Sequence, residues 1–252
     1  MLATYVVDSP SDAFDFDLDD GICAIEGGGC SLRAAVQNAN RDQNPDIVEF
    51  DLNGSFPSGI PSIRTLGIRV DGPIEIRGDS QTGGAVELTG SSPGGTGIEL
   101  RETPLSNGSV LSSSNSTIRG LVINGFGTGI SIASNSNSIY GNRIGTNALG
   151  TAAVANSTGV VITGNENQIG DGSPSRRNVI SGNTLHGVLV VGSNNSVQGN
   201  TIGADATDRL PLGNGGSGVF IGGTSNLVGG GDFGNLIAAN QVGITASGDG
   251  NQ

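Results

Sequence analysis

One short motif recurs along the second half of the chain: an Asn, one or two residues, an apolar residue, and in most copies Gly or Gly-Asn. It appears as Asn115-Ser-Thr-Ile118, Asn137-Ser-Ile139-Tyr-Gly-Asn142, Asn167-Gln-Ile169-Gly170, Asn195-Ser-Val197-Gln-Gly-Asn200 and Asn226-Leu-Val228-Gly229. Successive copies are 22, 30, 28 and 31 residues apart. A longer period overlies the short one. Asn142-Arg-Ile-Gly145 returns 58 residues later as Asn200-Thr-Ile-Gly203, and Asn178-Val-Ile-Ser-Gly-Asn183 returns after 57 as Asn235-Leu-Ile-Ala-Ala-Asn240. Between them runs a second strand type: Gly159-Val-Val-Ile162, Gly187-Val-Leu-Val-Val191, Gly218-Val-Phe-Ile221 and Gly243-Ile244. Units of this size bury little alone and gain a core only by stacking on their neighbours.

Gly and β-branched residues alternate too densely here for a helical stripe, and a propeller blade needs a longer period and longer strands. The pattern predicts an all-β, right-handed parallel β-helix in which each short strand pairs with its equivalent one coil away. Asn tolerates the left-handed conformation at corners, and stacked Asn amides hydrogen-bond to one another. Asn115, Asn137, Asn167, Asn195 and Asn226 are therefore expected to form a structural ladder. Residues 60–115 read as earlier, less regular coils, since Ile68-Arg-Val70, Ile74-Glu-Ile76, Val86-Glu-Leu88, Ile98-Glu-Leu100 and Val110-Leu111 carry the alternation of half-buried strands. Residues 60–252 are thus one continuous solenoid, and residues 1–59 hold a first strand, a cysteine loop and a helix. That helix spans residues 31–40, with Ser31 as its cap and Leu32, Ala35, Val36 and Ala39 on one face. Its expected role is to cap the open first coil, which otherwise exposes strand edges and core side chains.

The net charge is −12 and all eleven basic residues are Arg. Such a surface repels phosphate backbones and anionic membranes, so nucleic acid is not an expected partner. No stretch approaches the roughly 20 apolar residues that span a bilayer, so membrane insertion is not expected. Residues 2–7 read as a strand, not as a leader, which implies a secreted chain whose leader has been removed. Cys23 and Cys30 flank a Gly-rich loop; a disulfide there indicates an oxidising compartment, and two reduced structural thiols are the alternative.

Gly21-Ile-Cys23, Gly29-Cys30-Ser-Leu-Arg-Ala-Ala-Val36-Gln-Asn-Ala-Asn40 and Asp46-Ile-Val-Glu-Phe50 together resemble the CSLREA-type N-terminal module. That module precedes right-handed parallel β-helix repeats in large secreted or surface proteins of bacteria and archaea. Ile144-Gly-Thr-Asn-Ala-Leu-Gly150 and Arg177-Asn-Val-Ile-Ser-Gly-Asn183 are similar to its repeats, so the resemblance covers nearly the whole chain. Ala34 stands where the motif usually has Glu. The resemblance implies extracellular structural or adhesive parts more than a reaction.

Asp15, Asp17, Asp19, Asp20 and Glu26 are spaced as in a Ca²⁺ loop, although Asp20 replaces the sharp-turn Gly and no helices flank the run. They are the candidate metal ligands, with a solvated acidic loop as the alternative, and Ca²⁺ is the one cofactor suggested. A polysaccharide lyase or glycoside hydrolase of the pectate-lyase-like type needs clustered carboxylates, with a basic residue for a lyase. Beyond residue 102 the acidic residues lie mainly in turns, and only Asp205 and Asp208 are close in sequence. Arg119, Arg143 and Arg177 fall in different repeat phases, which argues against a cationic row. His186 has Val242 as its counterpart one long period later, which marks a packing or edge position. No catalytic residue is assigned. The expected protein is a non-catalytic extracellular structural or adhesive β-helix, a fragment of a larger surface protein or a subunit of a filament. Its expected partners are cell-surface or glycan ligands, or further copies docking on open coil ends, with a glycan lyase or hydrolase as the alternative.

Overall fold

A computed structural model describes residues 2–56, 59–92, 94–173, 176–231 and 234–252; Asp232, one of the acidic turn residues, lies outside them. Among the described residues the chain is built of three parallel sheets, each taking one short strand per coil. The first runs, in spatial order, through Thr4–Val7, Asp46–Phe50, Ile74–Arg77, Thr117–Arg119, Ser138–Tyr140, Gln168–Ile169, Ser196–Val197 and Leu227–Val228. The second begins at Ser62–Thr65 and continues through Val86–Gly90, Leu121–Asn124, Arg143–Ile144, Val179–Ile180 and Thr201–Ile202 to Leu236–Ile237. The third begins at Ile68–Val70 and continues through Thr96–Leu100, Thr128–Ile132, Thr158–Ile162, Val188–Val190 and Ser217–Ile221 to Val242–Ala246. Strands before and after residue 60 share the first sheet, so the N-terminal segment is continuous with the coils in hydrogen bonding.

Register places identical side-chain types above one another. Ile76, Ile118 and Ile139 are Cα partners in the first sheet, and Ile130, Val160 and Val188 in the third. All are fully buried and belong to one core cluster that extends from Val7 to Ile221. Strands of two residues suffice because each inward Val or Ile packs against an equivalent above and below. One expected strand behaves differently. Val110–Ser112 does not join a parallel sheet but pairs antiparallel with Glu102–Pro104 as a projecting hairpin, leaving Val110 exposed.

The corners carry the other half of the stabilisation. Asn137, Asn167, Asn195 and Asn226 are buried, and each backbone N–H but the last donates to the side-chain Oδ1 of the next at 2.8–2.9 Å. Asn251 continues the column by accepting from Asn226. Asn115 is not in this ladder. It has φ 65° and donates its N–H to the Asn135 carbonyl, as Ser136 does one coil on to Asn165; Ser116 occupies the ladder position and donates to Asn137. The extra residue between Asn115 and Ile118 is the cause, since the other copies have one residue between Asn and the apolar position.

Two further ladders stand at the other corners. Asn142, Asn178, Asn200 and Asn235 link the first and second sheets. Asn156, Asn183, Asn214 and Asn240 separate the second from the third. A glycine column, Gly164, Gly192, Gly223 and Gly248, runs beside the first ladder. A Cβ at Gly192 would collide with the Gly164 carbonyl oxygen, which itself accepts from the Asn195 side chain. These corners are Gly because the coil below approaches too closely for any side chain.

The helix Leu32–Ala39 is capped by Ser31, whose Oγ accepts from the Ala34 N–H at 3.0 Å and donates to the Ala13 carbonyl. Leu32, Ala35, Val36 and Ala39 are buried against Thr4–Val7, Asp46–Phe50 and Ile68–Val70. Ala34 is fully buried, so a carboxylate there would need a partner. Arg33 clamps the preceding segment. Its guanidinium binds both oxygens of Asp12 at 2.9–3.0 Å, and also the Gly67 carbonyl and Thr65 Oγ1.

Asn195→Ala removes the acceptor for the Asn167 N–H and the donor to the Gly164 carbonyl, stranding buried polar groups that cost about 1–3 kcal/mol each. Urea unfolding is expected to show a loss of about 2–6 kcal/mol by that reckoning, whereas Asn115→Gly, outside the ladder and at φ 65°, is expected to cost well under half as much. Equal losses would remove the ladder's special role.

Candidate functional site

Alternation on the first sheet turns Ile74, Ile76, Ile118 and Ile139 inward and leaves Glu75, Arg77, Arg119 and Tyr140 on the outer face. Register then stacks Arg77, Arg119 and Tyr140 in successive coils. Their charges form a chain. Arg77 binds Glu49 at 2.9 Å and Glu75 at 2.7 Å; Arg119 binds the other Glu75 oxygen at 2.9 Å and also pairs with Asp79. Past the corner glycines Gly120 and Gly141, which have φ 70° and 68°, the second sheet presents Arg143 on its outer face. From the far side Arg176 reaches over the Tyr140 ring, 4.7 Å from its centroid, while bound to Asp171 at 2.9 Å.

Glu75, Asp79, Gly84, Arg119, Gly120, Tyr140, Gly141, Arg143 and Arg176 line an open groove of about 610 Å³. Arg119, Arg143 and Arg176 face Glu75 and Asp79; since Arg119 pairs with both carboxylates and Arg176 with Asp171, Arg143 is the one lining guanidinium without an ion pair among the described residues. The different repeat phases of Arg119 and Arg143 therefore do not keep them apart: one closes a first-sheet strand, the other opens a second-sheet strand, and the corner between them is the groove.

The Arg77 guanidinium, with help from Arg119, holds the Glu75 carboxyl below the usual carboxylate range despite partial burial. Glu75 is thus ionised, with both oxygens engaged, and is badly suited to donate a proton. Burial lowers the Arg143 pKa, and among the described residues no carboxylate pairs with it. Asp171 raises that of Arg176. The arrangement offers cationic donors, carboxylate acceptors and a glycine-lined floor.

The other sequence candidates are spread elsewhere. Asp15 accepts from the Asp17 and Ala24 N–H groups and from the Asn38 side chain, which ties the loop to the helix. Asp17 accepts from the Asp19 N–H, Asp20 from that of Ile22, Asp19 pairs with Arg41, and Glu26 is exposed. These carboxylates are spent on local turns and do not converge. Among the described residues no group of three or more His, Cys, Asp or Glu side chains is placed to hold a metal ion. Cys23 and Cys30 form a disulfide with Cα atoms 5.3 Å apart.

Asp205 and Asp208 lie in one hairpin. Asp205 accepts from the Leu210 and Arg209 N–H groups and from Thr207 Oγ1, and the backbone bond from Leu210 leads in lowering its pKa; Asp208 pairs with Arg177 and accepts from Thr201. His186 accepts the Ser217 N–H at Nδ1 and packs 5.4 Å from the Phe220 ring, a structural position just before the third-sheet strand Val188–Val190. The groove escaped the sequence reading because the register that joins Glu75 to Arg119 spans the irregular 78–116 segment. Its signal was the row of charged outward positions in Ile74-Glu-Ile-Arg77 and Ile118-Arg119.

No protein-family model matches the chain, and no curated protein matches it.

Glu75 and Asp205 have folded-state pKa values below their ordinary 4.5 and 3.8, so both contribute stability that is present above those values and lost as pH falls through the folded ones. Asp46, raised by burial, acts in the opposite sense. The melting temperature followed by circular dichroism is expected to fall on acidification below about pH 4. Glu75→Gln should melt lower than the parent at pH 7 and lose less on acidification; parallel pH profiles would exclude Glu75 as a contributor.

Proposed function

We propose that the chain is a non-catalytic extracellular β-helix with a structural and adhesive role, and that its lateral groove is the binding face. The state of the groove's carboxylates carries this reading. A glycosidase needs one carboxyl held protonated opposite a second that acts as base or nucleophile. Here Glu75 is kept ionised between two arginines, and Asp79 is paired with one of them. A metal-assisted lyase needs several carboxylates around a cation, and the groove's two are taken up by guanidinium groups. The disulfide supports an oxidising, extracellular setting, and among the described residues no helix is long and apolar enough to cross a membrane.

In this reading the coils wind right-handed, as parallel crossovers in one sheet nearly always do. The N-terminal helix closes the first coil, and the chain belongs with the CSLREA-type surface proteins. Ser31 as helix cap, Leu32 in the core and Arg33 as clamp on Asp12 supply a physical reason for the Cys-Ser-Leu-Arg run.

The test is incubation of the full chain with neutral and acidic glycans, following reducing ends and unsaturated products together with retention on glycan-coated surfaces. Retention without product is expected. Sustained product formation lost with Arg143→Gln would instead make the chain a lyase, with Arg143, which has no ion pair among the described residues, as its base.

A further inference from the structure

We propose that the groove recognises an acidic oligosaccharide in which a uronate carboxylate alternates with neutral, hydroxylated rings, and that Arg143 holds the carboxylate. The inference rests on the reading of the groove as a binding face that does not cleave.

Arg143 is the exception among the chain's half-buried arginines. Arg33, Arg77, Arg101, Arg119 and Arg177 each pair with a carboxylate, whereas among the described residues the Arg143 guanidinium makes no ion pair or hydrogen bond. A half-buried guanidinium without an anion is costly, because its five donors are only partly hydrated. Burial accordingly lowers its pKa, and an incoming anion would reverse that cost.

The long period shows how the vacancy arises. Residues 146–153 and 204–211 form equivalent hairpins, closed by the bridges Thr146–Ala153 and Ala204–Pro211. In the second, Asp208 accepts from Thr201 and pairs with Arg177. In the first, Arg143 stands where Thr201 does and Gly150 where Asp208 does, both 58 residues earlier. Gly150 also donates no side chain because a Cβ there would meet Ala206, and the Arg143 Cδ and Nε lie just beyond, 3.3–3.4 Å from that point. The chain thus supplies a carboxylate at one hairpin and withholds it at the one that borders the groove.

The remaining lining selects the class of ligand. Each bound carboxylate oxygen of Glu75 and Asp79 keeps a further lone pair beside its guanidinium contact, which suits hydroxyl groups, and their charge repels densely charged polyanions. Gly84, Gly120 and Gly141 leave the floor open without apolar pockets. The groove crosses strands of three successive coils, about 10 Å at the usual strand spacing. One guanidinium without a carboxylate partner, on a chain of net charge −12, fits a single carboxylate among neutral rings better than a run of acids. An acidic peptide offers the carboxylate but few hydroxyl donors for Glu75 and Asp79.

Isothermal titration calorimetry on the full chain tests this with four probes: the tetrasaccharide alternating glucuronate and N-acetylglucosamine, neutral chitotetraose, tetraglutamate and inorganic sulfate. The glucuronate tetrasaccharide is expected to bind at least ten-fold more tightly than the other three. Arg143→Gln should abolish that preference without lowering the melting temperature, and Arg143→Lys should restore part of it. Equal affinity for chitotetraose, or full acidic preference in a folded Arg143→Gln variant, would overturn the assignment. Tetraglutamate or sulfate binding as tightly would overturn the saccharide class. If Arg143→Gln does not fold, the four-probe comparison on the native chain decides alone. Cleavage of the tetrasaccharide during titration would defeat the non-cleaving reading separately, since it is scored by products and not by affinity.

Discussion

Strands of two to five residues leave a parallel coil with a persistent difficulty: most of its backbone lies in corners, where sheet pairing cannot reach. The buried asparagines resolve it. Each carries an acceptor for the backbone N–H of the coil on one side and donors for a carbonyl at the corner, so the corner hydrogen-bonds in register much as a strand does. Because the side-chain amide duplicates the peptide group, three such columns turn the corners into continuations of the three sheets. At Ser116 the hydroxyl accepts the Ile74 N–H of the preceding coil and spends its single proton on the Ser113 carbonyl of its own coil, so it lacks the second donor with which an Asn amide reaches its neighbour.

This bonding also dictates where variation is allowed. Inward positions are mostly Val, Ile or Leu of matched volume, and the corner columns are Asn or Gly apart from Ser116. Outward positions and the loops between corners are unconstrained by the solenoid itself. The charged chain from Glu49 to Arg176 lies on the outer face, built on a rigid register. Placing binding residues on stacked strands fixes their spacing at the coil repeat, which a loop-borne site lacks.

The repeating coils were legible because hydrophobic period and Asn spacing report the same register twice. Inward residues such as Ile139, Ile169 and Val197 could be read directly, as could the capped helix at Ser31. The first ladder was misread by one residue at Asn115, where conformation and spacing disagree: the corner residue at φ 65° is also an Asn, so residue type alone does not separate the two columns. The hairpin at Glu102–Pro104 and Val110–Ser112 keeps the alternation of a coil strand while pairing with its own neighbour, and alternation does not specify the partner. The groove was hidden for a related reason. Glu75 and Arg119 meet through a 44-residue separation that spans a whole coil of irregular length.

The 58-residue period adds a consequence that a single-coil repeat would not have. One coil in two carries a hairpin between its second and third strands, and the short corner between two hairpins is spanned by both: Gly182 donates to the Leu212 carbonyl on one side, and its Cα faces Ala153 on the other. Ala206 likewise donates to the Gly150 carbonyl, so the two hairpins touch across the intervening coil. Each hairpin is thereby fixed by its neighbour, and a substitution in one is felt at the other. Gly150 shows the effect: the Ala206 methyl that excludes a side chain there belongs to the next hairpin, and it is this exclusion that keeps a carboxylate away from Arg143. The open charge in the groove is thus set by packing between repeats, not by the residues that line the groove alone.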